Sequence, residues 1–249
     1  MISIHHRTTY HYRAPLEFGP HRLLLRPRES RNLRLFSHDL RISPAAQVTW
    51  AHDVAGNSVA TAVFSEKSDR LVIDSVAELS LDVDQSPIFD IAASAANYPF
   101  LLSEDDMLDL GALRLQSYLD SGGELRSWAE GFVAGNPTGS LALLKDICSG
   151  VAARVTYEVR EEEHTQSPQE TLARNRGSCR DFAALFVDAV RSLGFGARIV
   201  SGYLFDPDRD AIGSADEGST HAWAEVYLPG AGWITFDPTN RSVGGFNLI

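Results

Sequence analysis

The stretch Gly177-Ser178-Cys179-Arg180-Asp181-Phe182-Ala183-Ala184-Leu185-Phe186-Val187-Asp188-Ala189-Val190 decides the fold. Phe182, Leu185, Phe186, Ala189, Val190 and Leu193 follow i, i+3, i+4 spacing, which predicts an amphipathic helix stopped by Gly194. Ser178 is a fitting N-cap, and Asp181 three residues on suits the positive end of the helix dipole. Cys179 then occupies the first helical position, where unpaired backbone N–H groups favour the thiolate form of a cysteine. The alternative, a buried structural cysteine, describes Cys148 better, because Cys148 sits in apolar company inside another helical run.

Working outward, residues 197–205 and 222–227 alternate like strands, and residues 233–236 form a third, short one. Upstream, Ser140–Arg154 reads as a helix with Leu141, Leu144, Ile147, Cys148 and Val151 on one face. Residues 155–159 are strand-like. Ser167-Pro168-Gln169-Glu170 combines a capping box with proline at the first helical position, and it opens a helix of about two turns leading to Arg176. Residues 124–133 look helical, and Ser103-Glu104-Asp105-Asp106 marks another helix start. The character changes at Gln85-Ser86-Pro87. Before it, residues 2–13 alternate, with Ile2, Ile4, His6, Thr8, Tyr10 and Tyr12 on one face. Strand-like runs follow at 21–26, 34–42, 59–64 and 71–83, with turn chemistry at 53–57 and no helix between them. The expectation is an α+β chain: an antiparallel sandwich or barrel over 1–87, then a helix-and-sheet domain over 88–249 with its core at about 140–240.

A nucleophilic thiol needs a base for its proton and an anion to hold that base in one tautomer. Of the eight histidines, His221 is placed for the first task, at the start of a strand beside a loop. Asp237 closes the following strand and is placed for the second. The gap from Cys179 to His221 suits a crossover, and the gap from His221 to Asp237 suits a hairpin. Each residue alone would read as an ordinary strand histidine or a turn aspartate before proline.

Four blocks together resemble a known family. They are Arg176-Gly177-Ser178-Cys179-Arg180-Asp181-Phe182-Ala183, Ala197-Arg198-Ile199-Val200-Ser201-Gly202-Tyr203, Thr220-His221-Ala222-Trp223 and Trp233-Ile234-Thr235-Phe236-Asp237-Pro238-Thr239-Asn240. In this order they are similar to the bacterial transglutaminase-like superfamily. The first 85 or so residues resemble the β-rich domain that precedes this core in many bacterial members. The resemblance implies a papain-like catalytic domain in which Cys179 is the nucleophile, His221 the base and Asp237 the orienting acid. It implies a thioester intermediate and no cofactor. Trp223 and Tyr203 become candidate cleft residues, although aromatic strand residues more often serve the core. Asp181 is a further candidate that helix capping already explains. Hydrolysis of a peptide, isopeptide or other amide bond is the expected activity, with amine transfer to glutamine the runner-up. A non-catalytic binding module is the alternative of another class, opposed by the complete Cys/His/Asp set. An arylamine acetyltransferase would need a different cysteine block, and a zinc-bearing glycopeptide amidase would need Cys-x-x-Cys pairs that the chain lacks.

Charge narrows the partners. The chain carries a net −11, yet residues 1–50 hold eight arginines against Glu17, Glu29 and Asp39. The acidic remainder argues against nucleic acid, and arginine on solvent-facing strand positions accounts for the start. No apolar run is long enough for a membrane span, and residues 1–7 lack a secretory signal, so a cytoplasmic protein with free thiols and a peptide or protein substrate is expected. His5, His6 and His11 have no acidic or cysteine partner at ligand spacing and predict strand surface, not a metal site. Asp206, Asp208, Asp210 and Glu217 mimic a calcium-loop spacing, but Ala211 stands where that loop needs glycine, so an acidic rim is expected. No oligomeric state can be read from the chain.

Overall fold

The computed structural model describes residues 1–85, 87–160, 162–206 and 218–249. The calcium-like spacing after Asp206 therefore lies outside the described residues, as do Ser86 of the boundary tripeptide and Glu161. The chain divides into two compact units, Met1–Asp82 together with Ile249, and Val83–Leu248.

In the first unit the strands are β1 (Ile2–Leu16), β2 (His21–Leu23), β3 (Leu33–Ser43), β4 (Ala46–His52), β5 (Ser58–Phe64) and β6 (Ser68–Leu81). They pair as two antiparallel sheets, β1-β6-β3 and β2-β5-β4. Leu71 and Ile73 of β6 pack with Phe18, surrounded by Tyr12, Leu23, Leu40, Ile42 and Phe64. These residues come from both sheets, so the two form a sandwich around one apolar interior. The strand β4 is absent from the sequence expectation. It pairs only with β5, and Trp50 is 48% exposed, so it shows no clean alternation of buried and exposed residues. The Asp53 carboxylate closes the β4–β5 turn by accepting from the N–H groups of Ala55 at 2.9 Å and Asn57 at 2.8 Å. His5 faces Asp74 at 2.8 Å on the exposed side of β1. No group of three or more candidate metal ligands occurs among the described residues.

The second unit runs β7 (Asn97–Tyr98), α1 (Glu104–Leu110), α2 (Glu124–Glu130), β8 (Thr138–Gly139), α3 (Ser140–Arg154), β9 (Thr156–Tyr157), α4 (Pro168–Arg174), β10 (Arg176–Gly177), α5 (Cys179–Ser192), β11 (Gly196–Phe205), β12 (Gly218–Leu228), β13 (Gly232–Asp237) and β14 (Ser242–Val243). The caps act as their residues dictate. Ser103 accepts from Asp106 N–H at 3.0 Å to start α1, and Ser167 from Glu170 N–H at 3.1 Å to start α4, with Pro168 first in the helix. The helix expected over 124–133 stops at Glu130, where Gly131 follows.

α5 forms as its spacing predicts, and most of its remaining residues are covered as well. Ala183, Ala184, Val187 and Asp188 are buried along with the predicted stripe, so the helix is enclosed on nearly every side. One side meets the antiparallel sheet β11-β12-β13-β14, and the others meet α2, α3 and α4. Asp188 survives this burial because it accepts from the N–H groups of Ser117 and Tyr118, at 2.9 and 3.0 Å, and faces Arg191 at 3.5 Å. Gly194, in the left-handed region at φ +96°, ends the helix and turns the chain into β11. No helix among the described residues is long and apolar enough to cross a membrane.

The β12–β13 hairpin sets the register that the site depends on, and it turns through Gly230 and Gly232. A Cβ on Gly230 would lie 2.5 Å from the backbone N of Ala92 and 2.6 Å from the carbonyl O of Asp90, whereas Gly232 has nothing within 4 Å. Both glycines have positive φ. Gly232→Ala should therefore cost only the left-handed backbone penalty, about 1 kcal/mol. Gly230→Ala should cost clearly more, because backbone must move. Urea unfolding of both variants checks this, and equal losses would contradict it.

Candidate active site

The N-terminus of α5 is fixed from below by a buried carboxylate. Asp181 is fully buried, and its Oδ2 accepts from Ser178 N–H at 2.7 Å, the Ser178 hydroxyl at 2.9 Å and Arg160 Nη1 at 2.7 Å. Its Oδ1 accepts from Gln166 N–H at 2.8 Å. Burial alone would push this carboxyl up, but Arg160 and the donors of Ser178 and Gln166 hold it below the ordinary carboxylate value. Gly177 is required just before the cap, since a Cβ there would approach the Asp181 Cβ to 2.8 Å. β10 pairs in parallel with β9, so Gly177 lies abreast of Tyr157 as the chain enters the helix. Cys179 follows as the first helical residue, half-buried and in no disulfide.

His221 and Asp237 come from adjacent antiparallel strands. The ladder pairs Ala224 with Phe236; one step further Asp237 stands abreast of Trp223, so His221 is its diagonal neighbour. His221 Nε2 meets Asp237 Oδ2 at 2.9 Å, with the two residues 2% and 1% exposed. Asp237 also accepts from Asn240 Nδ2 at 2.8 Å, Thr239 N–H at 2.9 Å and Asn240 N–H at 3.3 Å. Burial penalises this carboxylate, yet His221, Asn240 and Thr239 outweigh the penalty and keep its pKa below the usual value. Asp237 is thus both the turn residue before Pro238 and the partner of the imidazole.

With Nε2 committed to Asp237, Nδ1 is the nitrogen left for the thiol; it is buried and has no well-aligned partner. Burial would lower the imidazole pKa. The Asp237 hydrogen bond, the adjacent Cys179 thiol and the charges of both carry it the other way, to about 9. Cys179, His221 and Asp237 are therefore one cluster. Cys148 belongs to the core beside it: burial, and then the Asp237 charge, push its thiol up to about 12.

The weaker candidates separate. Trp223 is 5% exposed, stacks on the His221 ring at 6.4 Å and packs with Leu204 and Leu248, so it walls the imidazole from behind. Tyr203 is half-buried opposite Thr220, and burial raises its phenol pKa. Asp181 has both oxygens committed beneath the helix, which places it in the support of Cys179 and outside any open cleft. Arg160, Gln166 and Asn240 complete the cluster and were not foreseen. Only Asn240 had a signal, the Asp-Pro-Thr-Asn turn spacing.

Comparison with known proteins identifies the family of both units. Residues 126–238 match the transglutaminase-like superfamily core, and residues 2–80 match the bacterial transglutaminase-like N-terminal region. The uncharacterized protein Rv2569c of Mycobacterium tuberculosis is 30% identical over 252 residues, covering 94% of this chain and 77% of its own. The uncharacterized protein YebA of Bacillus subtilis is 33% identical over 91 residues, 34% of this chain and 12% of its own. Among solved structures, one described as a "Putative Cysteine Protease from Cytophaga hutchinsonii" superposes with a TM-score of 0.72 at 20% identity, over 99% of this chain and 78% of that one. The chain belongs to the transglutaminase-like superfamily and carries its bacterial N-terminal region.

Removing Arg160, whose side chain is only 4% exposed, would leave Asp181 buried without its cation. Arg160→Ala should cost about 3–5 kcal/mol. Arg126→Ala, which breaks an exposed pair with Glu130, should cost less than about 1 kcal/mol. Denaturant midpoints of the two variants test the contrast, and similar losses would show that Asp181 does not depend on Arg160.

Proposed function

We propose that the protein is a thiol-dependent hydrolase that cleaves a peptide, isopeptide or other amide bond through a thioester on Cys179. The observation that carries this reading is the buried His221–Asp237 pair with the Cys179 thiol as the imidazole's other neighbour. In the proposed reaction, the thiol proton already rests on His221 Nδ1, and the Cys179 thiolate attacks the carbonyl carbon. The backbone N–H of Cys179, unpaired at the first helical position, is aimed at the resulting oxyanion. Collapse breaks the C–N bond, and the leaving amine takes the proton from His221. Water then gives a proton to His221 and attacks the thioester, releasing a carboxylic acid and restoring the thiolate beside the imidazolium. Asp237 holds the imidazole in the required tautomer and stabilises its cation throughout.

The test is turnover of a panel of amide acyl donors, measured with and without added primary amine. Free acid should accumulate in both conditions, and Cys179→Ala should abolish it. Product consisting only of the new amide whenever amine is present would instead assign the amine-transfer reaction. Asp237→Asn should lower both the melting temperature, through the turn, and turnover per folded molecule, by between about 10- and 10⁴-fold. Near-normal turnover in that variant would reduce Asp237 to a turn residue.

A further inference from the structure

A cavity of about 310 Å³ opens next to the triad, at the small end of the range for ligand pockets. Phe182 contributes an apolar wall, Tyr157 and Thr239 add hydroxyl-bearing side chains, and Arg241 stands at the rim. The cavity is tied to the reacting groups from two directions. Thr239 and Asn240, which line it, are the residues whose N–H groups hold Asp237. Tyr157 lies near enough to Cys179 that, after burial, the charge of that residue is what raises its phenol pKa.

Arg241 itself is unusual in two respects. Its backbone is left-handed at φ +57°, a conformation that otherwise occurs, among non-glycine residues described, only at Asn175. Asparagine tolerates it, whereas an arginine there bears a cost of about 1–2 kcal/mol without a local hydrogen bond to offset it. Three other arginines of this unit have partners: Arg160 meets Asp181, Arg176 meets Glu158 at 3.9 Å, and Arg180 meets the Glu162 carbonyl. Arg241 is exposed and meets no acidic side chain among the described residues.

We infer that Arg241 and this cavity form a subsite for a carboxylate carried by the acyl donor, which makes the substrate an amide of an acidic amino acid or acidic peptide. The planar guanidinium can take a carboxylate with two parallel hydrogen bonds, a geometry that suits an arginine standing beside a cavity with hydroxyl-bearing walls. The inference deepens the hydrolase reading and rests on it.

The test uses electrophiles that need no knowledge of the natural substrate. N-iodoacetyl glutamate α-amide is compared with N-iodoacetyl glutamine amide, and the aspartate compound with its asparagine partner, each rate at Cys179 normalised to free cysteine. Within each pair the reagents differ by one charge. In at least one pair the carboxylate should react about fivefold faster, and added salt should erode the advantage. Arg241→Gln should bring that ratio to about one, and Arg241→Lys should retain part of it. Arg241→Gly repeats the loss in a residue suited to the backbone, so a folding defect cannot imitate the result. A ratio of one in the unaltered protein, or a ratio that persists in Arg241→Gln and Arg241→Gly, overturns the subsite while leaving the hydrolase reading intact. If plain iodoacetamide labels Cys179 no faster than Cys148, both readings fall together.

Discussion

The hydrogen bond between the buried His221 ring and the buried Asp237 carboxylate is the constraint on which the candidate site depends. An ionised carboxylate removed from water costs several kcal/mol unless donors and an opposite charge meet it. Asp237 meets that demand with the imidazole, the Asn240 amide and the N–H groups of Thr239 and Asn240. Satisfying it fixes three things together: the turn after β13, the β12–β13 register, and the ring face presented to Cys179. The same carboxylate converts a histidine that burial would keep neutral into a strong base.

A second buried carboxylate does the matching work on the other side of the site. Asp181 ties the cap of α5 to Arg160 and to the backbone at Gln166, so the first helical residue cannot drift away from the histidine. Two acids on opposite sides of one thiol thus have different partners. Asp181 has an arginine, which is always charged, and serves only structure. Asp237 has a histidine, which can gain and lose a proton, and can therefore serve chemistry. The identity of the cation, more than the burial, separates the two roles.

Much of this was legible from residue order. The run from Ser178 to Leu193 marks a helix, its cap and its stop, and the alternation near 197–205, 222–227 and 233–236 marks the sheet. The four motif blocks named the three residues that the fold brings together. What could not be read was anything set by contacts distant along the chain. That α5 is enclosed on nearly every side depends on α2, α3 and α4 packing against it, and its small residues Ala183 and Ala184 carry no sign of this. Arg160, followed by Glu161-Glu162-Glu163, looks like any surface arginine in the sequence until its partner Asp181 is seen at the start of α5. Trp223 is a cleft candidate whose residue type more often serves a core, and its packing with Leu204 and Leu248 depends on residues far from it in sequence. β4 was missed for the opposite reason, because an edge strand with little buried side has no pattern to detect.

At neutral pH, His221 is held as a cation between the Asp237 carboxylate and Cys179. The most direct measurement is an NMR titration of the ring nitrogens of His221. In the unaltered protein the ring should stay protonated until the pH rises through about 9, well above the ordinary 6.5. Asp237→Asn and Cys179→Ala should each bring that titration down. A ring in the unaltered protein that titrates at or below 6.5, or that ignores both substitutions, would contradict the account.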